Sequence, residues 1–340
     1  MSLPTSRIAD PATAPPLRWG ILATGGIAGS FVTALAAHTH QQVVAVGSRS
    51  ADRAQSFASR HHIDRAHPSY AALVNDPGVD VVYVATPHSE HRDNALAAIA
   101  AGKHVLVEKS FTRNAAEAAL VFDAARSAGV LVMEAMWTRY LPQTDVLRQV
   151  LADGVLGDIA VVAADHGQYF DVDPAHRLLN PELAGGAMLD LGIYPVSFAS
   201  MVLGRPEAVT AVGTITSTGV DAQAGIVLDK GAAQAVLHTT LLAKTPTVAS
   251  ISGTLARAEL SGPFYAPGVL TVTSRDGRQL IRPRDPITGS GGLSYEAAEL
   301  ARCVAAGRRE SRLLGWGETL AIMKTMDEVR RQVGAILPGE

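Results

Sequence analysis

Short apolar runs alternate with helical patterns through the first 133 residues. Residues 81–84 form a β-branched and aromatic run that ends at Thr86-Pro87, and an alanine- and leucine-rich helical stretch follows. The next apolar run ends at Glu108-Lys109. A strand, a helix and a strand in this order form a crossover between parallel strands, which is almost always right-handed. Open α/β sheets bind ligands beyond the carboxyl ends of their strands, so we expect Thr86 and Lys109 to lie beside the ligand.

The same alternation predicts the class of the N-terminal domain. Further apolar runs lie at 17–22, 43–46 and 130–133, and helical stretches lie at 30–37 and 115–128. Strands that alternate with helices indicate a doubly wound parallel sheet with helices on both faces. We therefore predict an α/β nucleotide-binding domain.

After residue 133 strand patterns dominate. Seven runs are predicted as strands: 159–164, 208–216, 223–228, 232–241, 247–254, 256–261 and 269–273. Apolar and polar residues alternate within 232–241, which is typical of a strand with one buried face. Helices are expected at 187–203, 294–306 and 316–333. The pattern predicts an α+β domain with a large open, mostly antiparallel sheet.

These patterns divide the chain into three parts. Residues 1–16 form a proline-containing mobile leader, 17–138 the nucleotide-binding domain, and 139–340 a domain for substrate binding and oligomerisation. Packing of the last helix on the nucleotide-binding domain is left open as an alternative. Because one face of the open sheet packs on helices, the other face needs a cover, most simply a second copy of the chain. We expect a homodimer or a larger homo-oligomer.

Composition narrows the class of partner and compartment. The net charge of −3 and the lack of a long basic run argue against nucleic acid. Cys303 is the single cysteine, which excludes an internal disulfide and fits a reducing cytoplasm. We expect the apolar runs to be too short for a membrane span, and the leader does not resemble a signal peptide. We expect a cytoplasmic protein that acts on a small molecule.

The first strand leads into a glycine-containing turn, ATGGIAG at 23–29, and then a helix. Backbone N–H groups and the helix dipole make such a turn a phosphate site. The turn keeps the second glycine of the dinucleotide fingerprint, Gly25, and has Ala23 in place of the first. A tight turn that binds nothing would use the same residues. The residues expected to contact the cofactor here are Thr24, Gly25, Gly26 and Ile27.

The second strand identifies the expected cofactor. An NAD site would usually carry Asp or Glu at the end of this strand to bind the ribose 2′-hydroxyl. Here Ser48 and Arg49 follow the strand, and Arg53 lies one helical turn further on. Two arginines and a hydroxyl suit a 2′-phosphate, so we expect NADP(H) and leave NAD(H) use open. The alternative is a pair of solvated arginines at the start of a helix.

Four segments together resemble the glucose–fructose oxidoreductase, inositol dehydrogenase and MocA-like family. They are VATPHSEHRDNALAAIAAGKHVLVEK, MEAMWTRYLP, LAGGAMLDLGIYPVSF and GETLAIMKTMDEVRRQVG. Within it they are most similar to the dimeric dihydrodiol dehydrogenase and NADP-dependent D-xylose dehydrogenase branch. The resemblance implies a Rossmann domain and a second domain whose open sheet serves oligomerisation. It also implies hydride transfer between a nicotinamide and a sugar, cyclic polyol or diol.

The resemblance also implies catalytic roles for three residues. Lys109 corresponds to the active-site lysine of the family, Tyr194 to its acid–base tyrosine, and Asp190 to the partner aspartate. A phenol has a pKa of about 10, and a nearby ammonium group favours the phenolate that must accept a proton. Asp190 and Tyr194 are four residues apart, so they share a helix face. The alternatives are core packing for Tyr194 and ordinary surface ion pairs for Lys109 and Asp190.

The resemblance implies further cofactor residues, and position along the chain suggests further substrate residues. Around the nicotinamide ribose and the cofactor cleft, the matching residues are Thr86, Pro87, His91 and Glu108. The residues expected to contact substrate are Trp137, Arg139, Phe170, Arg177 and Asp190. Interdomain packing is the alternative for Trp137 and Arg139, and a surface position at the start of a helix would equally explain His91. We expect Gly185-Gly186 to let the backbone approach cofactor or substrate. Ser110 departs from the family, which usually has proline after the lysine.

Three alternative interpretations stay open. The histidines and carboxylates of segment 165–176 could hold a metal, but hydride chemistry does not need one and a solvated loop explains them. The same fold also serves NAD-dependent glycosidases, which oxidise a ring carbon transiently. A non-catalytic dinucleotide sensor would need the Rossmann domain without the lysine, aspartate and tyrosine.

Overall fold

The computed structural model describes residues 2–171, 173 and 175–340. The chain forms two compact units. The parallel-sheet unit comprises residues 9–140 and 289–319, and the open-sheet unit comprises 1–8, 141–288 and 320–340. Residues 289–319, placed by sequence in the second domain, therefore belong to the first unit.

The parallel-sheet unit contains a six-stranded sheet. Its strands are β1 (Arg18–Leu22), β2 (Gln42–Gly47), β3 (Arg65–His67), β4 (Val81–Val84), β5 (His104–Glu108) and β6 (Val132–Ala135). They lie in the order β3-β2-β1-β4-β5-β6, and all neighbours are parallel. The strand order reverses between β1 and β4, the point at which such sheets bind ligands.

Helices connect these strands. They are α1 (Gly26–His38), α2 (Ala51–His61), α3 (Tyr70–Val74), α4 (His91–Ala100) and α5 (Ala115–Ala128). Polar caps fix the starts of three of them: the side chains of Ser50, Ser69 and Asn114 each accept a hydrogen bond from the N–H three residues later. Gly129 ends α5 in a left-handed conformation, with φ at 71°.

The open-sheet unit contains an eight-stranded sheet. Its strands are β7 (Ile159–Gly167), β8 (Ala208–Ile215), β9 (Asp221–Lys230), β10 (Ala233–Thr240), β11 (Ala249–Gly253), β12 (Ala256–Leu260), β13 (Leu270–Ser274) and β14 (Gln279–Arg282). Their order is β14-β13-β12-β11-β7-β10-β9-β8. Only β7 and β10 pair in parallel among the described strands of this sheet. The predicted fold class is confirmed for both parts of the chain.

The remaining helices are α6 (Pro142–Ala152), α7 (Ile193–Leu203), α8 (Leu293–Ala305) and α9 (Trp316–Val333). A π-helical turn, Met188–Gly192, leads directly into α7. Helix α7 packs on β7 and β10, where Ala235 and Leu237 are buried. The opposite face of the sheet exposes Val161, Val212 and Val236.

The segment Pro181–Leu203 is long and apolar enough to cross a membrane, and 78% of its apolar window is buried in the fold. The expectation that the apolar runs are too short for a membrane span is wrong for this segment, although a buried core helix meets the same criterion. In the predicted mobile leader, Arg7 forms an ion pair with Asp145 of α6, at 2.6 Å. Ala14 packs on Ala298 and Ala301 of α8. Met1 lies outside the described residues.

Candidate active site

The turn between β1 and α1 is shaped to bind an anion. Gly25 and Gly26 are exposed at the start of α1, and no described atom lies within 4 Å of the place a Cβ would take on either. Thr24 is half-buried beside them, and the side chain of Ile27 is 40% exposed. Ala23 has φ at 90°, a left-handed conformation that favours the glycine usual at this position. The backbone thus keeps the fingerprint shape despite the alanine.

An arginine-lined cavity opens next to this turn. Its volume is ≈ 340 Å³, and it is lined by Thr24, Asp52, Arg53, Ser56, Phe57 and Arg60. Arg53 was predicted from the sequence and Arg60 was not, although the two lie seven residues apart on α2 and so share a face. Arg49 pairs with Glu90, and Ser48 is buried with its Oγ accepting from the N–H of Ser50.

His91 is buried between two loops that follow strands of the parallel sheet. Its Nε2 lies 2.8 Å from the carbonyl oxygen of Thr86, and its Nδ1 lies 2.8 Å from that of Ser110. Burial lowers the pKa of His91, and the nearby charge of Lys109 lowers it further. The imidazole therefore joins the Thr86-Pro87 loop to the loop after β5. This placement differs from the surface position considered above.

The loop carrying Lys109 is held by a buried carboxylate. Glu108 accepts a hydrogen bond from the hydroxyl of Tyr83 and another, 3.2 Å long, from the backbone N–H of Lys109. Tyr83 in turn stacks on Phe31 of α1, with ring centroids 4.0 Å apart. The peptide bond between Lys109 and Ser110 is cis. Strand β4, helix α1 and strand β5 thus all contribute to the position of this loop.

Acidic residues that sequence analysis did not select lie deep in the same unit. Burial raises the pKa of Glu134 to about 7, and Oε2 of this residue accepts from the hydroxyl of Thr319 at 2.9 Å. Burial also raises the pKa of Glu296, which faces Glu108 and Glu134. A glutamate is usually exposed, whether on a strand like Glu134 or on a helix like Glu296, so the sequence carried no signal for this cluster.

Two predicted substrate residues, Trp137 and Arg139, are buried in the parallel-sheet unit. Their side chains are 8% and 2% exposed. The guanidinium of Arg139 forms an ion pair with Glu318 at the start of α9. A buried arginine of this kind needs a partner, and this pair provides one.

In the open-sheet unit, two predicted residues meet directly. Nη1 of Arg177 lies 3.0 Å from Oδ1 of Asp190. Asp190 belongs to the π-helical turn and Tyr194 to the first turn of α7, so one helical segment carries both. The predicted helix 187–203 therefore exists, with a π-helical start that the sequence pattern did not indicate.

Tyr194 belongs to an aromatic cluster. Its ring stacks on Tyr265, with centroids 4.6 Å apart, and meets His166 edge-on at 5.3 Å. Gln168 Nε2 lies 3.0 Å from Nε2 of His166. His166 and Tyr265 come from strand β7 and from the loop before β13, which explains why no local pattern revealed them.

Beside Tyr265 lies a cavity of ≈ 600 Å³, within the range of small-molecule sites. Its walls include Gln168, Lys244 and the cis peptide Gly262–Pro263. Phe170, predicted to contact substrate, is half-buried and packs on a cluster that includes Leu191 and Leu241. Among the described residues, no group of three or more His, Cys, Asp or Glu side chains is arranged to hold a metal ion.

The glycine turn, the arginine-lined cavity and the reversal of strand order define a dinucleotide-binding protein. Residues 17–136 match the model of an oxidoreductase family with an NAD-binding Rossmann fold, and 144–259 match the GFO/IDH/MocA C-terminal domain. Trans-1,2-dihydrobenzene-1,2-diol dehydrogenase of Macaca fuscata fuscata is 38% identical over 95% of this chain and 98% of its own length. The Bos taurus enzyme of that name is also 38% identical, with the same coverage. The chain belongs to the GFO/IDH/MocA family of oxidoreductases.

Solved structures agree with this assignment. A 3-ketoreductase from Actinomadura kijaniata, in complex with NADP and TDP-benzene, is 28% identical over 94% of this chain and 98% of its own, with a TM-score of 0.82. An aldose–aldose oxidoreductase from Caulobacter crescentus is 24% identical with the same coverage and a TM-score of 0.84, which supports the fold alone. The family resemblance and the prediction of an oxidoreductase are both confirmed.

Proposed function

We propose that the chain is an NADP(H)-dependent dehydrogenase or reductase acting on a sugar, a cyclic polyol or a trans-dihydrodiol. The observation that carries the cofactor choice is the cavity lined by Arg53 and Arg60 beside the glycine turn. Two guanidinium groups suit a 2′-phosphate, whereas NAD offers only a hydroxyl at this position. The ketoreductase of similar structure was solved with NADP, which supports the same choice.

The residues at the turn fit the rest of the cofactor. Gly25 and Gly26 leave room for a pyrophosphate, and their N–H groups lie at the start of α1. Thr86 and Pro87 follow strand β4, and Glu108 and Lys109 lie at the end of strand β5 and just after it, at the same edge of the sheet. When bound, the nicotinamide accepts a hydride from a carbinol carbon or returns it. Within this arrangement His91, expected to border the nicotinamide ribose, holds together the loops that contain Thr86 and Ser110.

Oxidation of an alcohol releases a proton from its hydroxyl group, and Tyr194 is the proposed acceptor. The positive charge of Lys109 favours the phenolate form that accepts this proton, and in the reducing direction the phenol returns it. Solved forms of the similar ketoreductase include replacements of a lysine by alanine or glutamate and of a tyrosine by phenylalanine. These replacements support a test of the lysine and tyrosine proposed here, Lys109 and Tyr194.

The pair of Asp190 and Arg177 supports a substrate with neighbouring hydroxyl groups. Asp190 is mostly buried, while the side chain of Arg177 is 50% exposed. A carboxylate accepts a hydrogen bond from one hydroxyl, and the exposed guanidinium donates to another. The relatives named for a trans-dihydrodiol act on a compound of this kind.

A substrate panel tests this function. Trans-dihydrodiols, aldoses, inositols and anhydro sugars are incubated with NADP⁺ or NAD⁺, and reduced cofactor and products are quantified. We expect one NADPH formed for each substrate oxidised, with a lower KM for NADP⁺ than for NAD⁺. Cleavage of a glycoside without net NADPH would instead identify the glycosidase alternative. Cofactor binding without turnover on any carbinol or carbonyl compound would indicate a sensor.

The proposal includes a homodimer or larger homo-oligomer in the cytoplasm. The exposed side chains of Val161, Val212 and Val236 form an apolar face that a second copy would cover. Cys303, the single cysteine, is buried and suits a reducing compartment. Light scattering should give a multiple of the chain mass, and Val236→Lys should reduce it to one copy. A monomeric wild-type chain would contradict the oligomer.

A further inference from the structure

Asp221 caps the helical segment that carries Asp190 and Tyr194. The residue opens strand β9, and its side chain is 1% exposed. Its Oδ2 accepts a hydrogen bond from the N–H of Met188, at 2.6 Å. Met188 begins the π-helical turn, and the N-cap position before it holds Ala187, whose side chain has no polar atom. Since the first N–H groups of a helix lack partners within the helix, a carboxylate from another element takes the place of a local cap.

Gly186 lets this carboxylate come close. Its φ is 110°, in the left-handed region, and a Cβ placed on it would overlap Oδ1 of Asp221. On the other side, a Cβ on Gly185 would lie 2.5 Å from the carbonyl oxygen of Leu178 and 2.7 Å from that of Arg177. Sequence analysis expected these glycines to admit cofactor or substrate. The structure shows that they admit Asp221 and the segment that brings Arg177 to Asp190.

Burial of the Asp221 carboxylate carries a desolvation cost, which nearby groups partly offset. Burial raises the pKa of Asp221 to about 6, and the N–H of Met188 and the positive charge of Arg330 on α9 oppose that rise. Arg330 is itself paired with Asp327 and Glu340. A buried carboxylate costs more than a local serine or asparagine cap would, so its placement at this helix indicates a specific task.

We propose that Asp221 is a positioning residue that fixes the first turn of the segment carrying Asp190 and Tyr194. It acts through the helix N-terminus and touches neither substrate nor cofactor. This inference rests on the proposed function, in which Tyr194 moves the substrate proton. A small displacement of a reacting group lowers turnover more than it lowers binding, since only the reaction needs near-attack geometry.

Two variants test the role, and one glycine at the other end of the same helix provides a matched control. Asp221→Asn keeps the size and removes the charge, and Gly186→Ala displaces the carboxylate. Gly204→Ala is the control, because Gly204 ends α7 with φ at 72° and no described atom lies within 4 Å of an added Cβ. We expect kcat to fall about tenfold or more in both test variants, with cofactor Kd unchanged, and to stay near wild type in Gly204→Ala.

The pH profile separates positioning from general stability. Wild-type kcat should decline below pH about 6, where Asp221 takes up a proton, and Asp221→Asn should lose this inflection. If Gly186→Ala does not fold, Asp221→Asn carries the test. Unchanged kcat in folded Asp221→Asn, or an equal loss in Gly204→Ala, would overturn the inference. Tyr194→Phe is assayed alongside: if it stays active, the proton-transfer role proposed for Tyr194 fails, whereas an inactive Tyr194→Phe with a fully active Asp221→Asn refutes positioning alone.

Discussion

Nη1 of Arg49 lies 3.5 Å from Oε1 of Glu90. The arginine predicted to hold the 2′-phosphate therefore already has a carboxylate partner. Their side chains are 70% and 34% exposed, and an exposed pair of this kind contributes about 0–1 kcal/mol. A phosphate dianion is the stronger partner, so cofactor binding should exchange Glu90 for phosphate.

Removing the charge of Glu90 should strengthen the binding of NADP⁺. Glu90→Gln frees Arg49, and the lost competition corresponds to an affinity gain of up to about fivefold. NAD⁺ lacks the phosphate, so its affinity should not change. Calorimetric Kd values for both cofactors measure this. Asp93→Asn is the control, because Asp93 pairs with Arg92 instead. An equal gain in NADP⁺ affinity in Asp93→Asn would show that net charge alone causes the effect.

Arg60 should contribute to NADP⁺ selectivity together with Arg53. Each lines the cavity beside Thr24, and each guanidinium donates charge-assisted hydrogen bonds worth about 1.5–3 kcal/mol to a phosphate. Arg60→Ala should therefore weaken NADP⁺ binding by about tenfold to a hundredfold and leave NAD⁺ binding unchanged. Arg278→Ala, on a hairpin of the open-sheet unit, serves as the charge control. Equal losses of affinity for NADP⁺ and NAD⁺ would show that Arg60 does not bind the 2′-phosphate.

The fold was predictable because its signals are local. The alternating run 232–241 became β10 with Ala233, Ala235 and Leu237 buried, and the predicted last helix, 316–333, matches α9 in full. Strands β3 and β14 were missed, since each is short and at a sheet edge. A three-residue strand carries too few positions to show alternation.

The site was predictable only where a motif carried it. A family motif predicted Asp190 and the position before the Gly-Gly pair predicted Arg177, and the structure brings these two side chains into contact. Asp221 accepts a hydrogen bond from Met188, 33 residues away in the sequence, and His91 contacts the carbonyl of Ser110, 19 residues away. Such contacts depend on how separate elements pack, so no spacing in one sequence reveals them. Buried polar groups of this kind are where sequence patterns and structure differ most.

His91 should make the fold sensitive to acid. Burial lowers the pKa of His91, and His88 and Lys109 lie nearby. Below pH 6.5, His91 therefore binds a proton in the unfolded chain and stays neutral in the folded chain. The free energy of unfolding should then fall by up to about 1.4 kcal/mol per pH unit from this group. His91→Gln should flatten that slope in chemical denaturation, and exposed His40→Gln should not. Asp221 has the opposite effect on the free energy of unfolding, because its raised pKa favours the folded state as the pH falls below 6. Wild type, His91→Gln and His40→Gln all contain Asp221, so its contribution is the same in each. An unchanged slope in His91→Gln would contradict the assignment.

The central claim is that Tyr194 moves the substrate proton. Tyr194→Phe removes one hydroxyl and keeps the ring that stacks on Tyr265, and Tyr265→Phe is its matched control. The decisive measurement is kcat for NADP⁺ reduction beside the Kd for NADP⁺ in both variants. We expect Tyr194→Phe to lose at least about 10²-fold in kcat with an unchanged Kd, and Tyr265→Phe to keep its turnover. Wild-type turnover in Tyr194→Phe would contradict it.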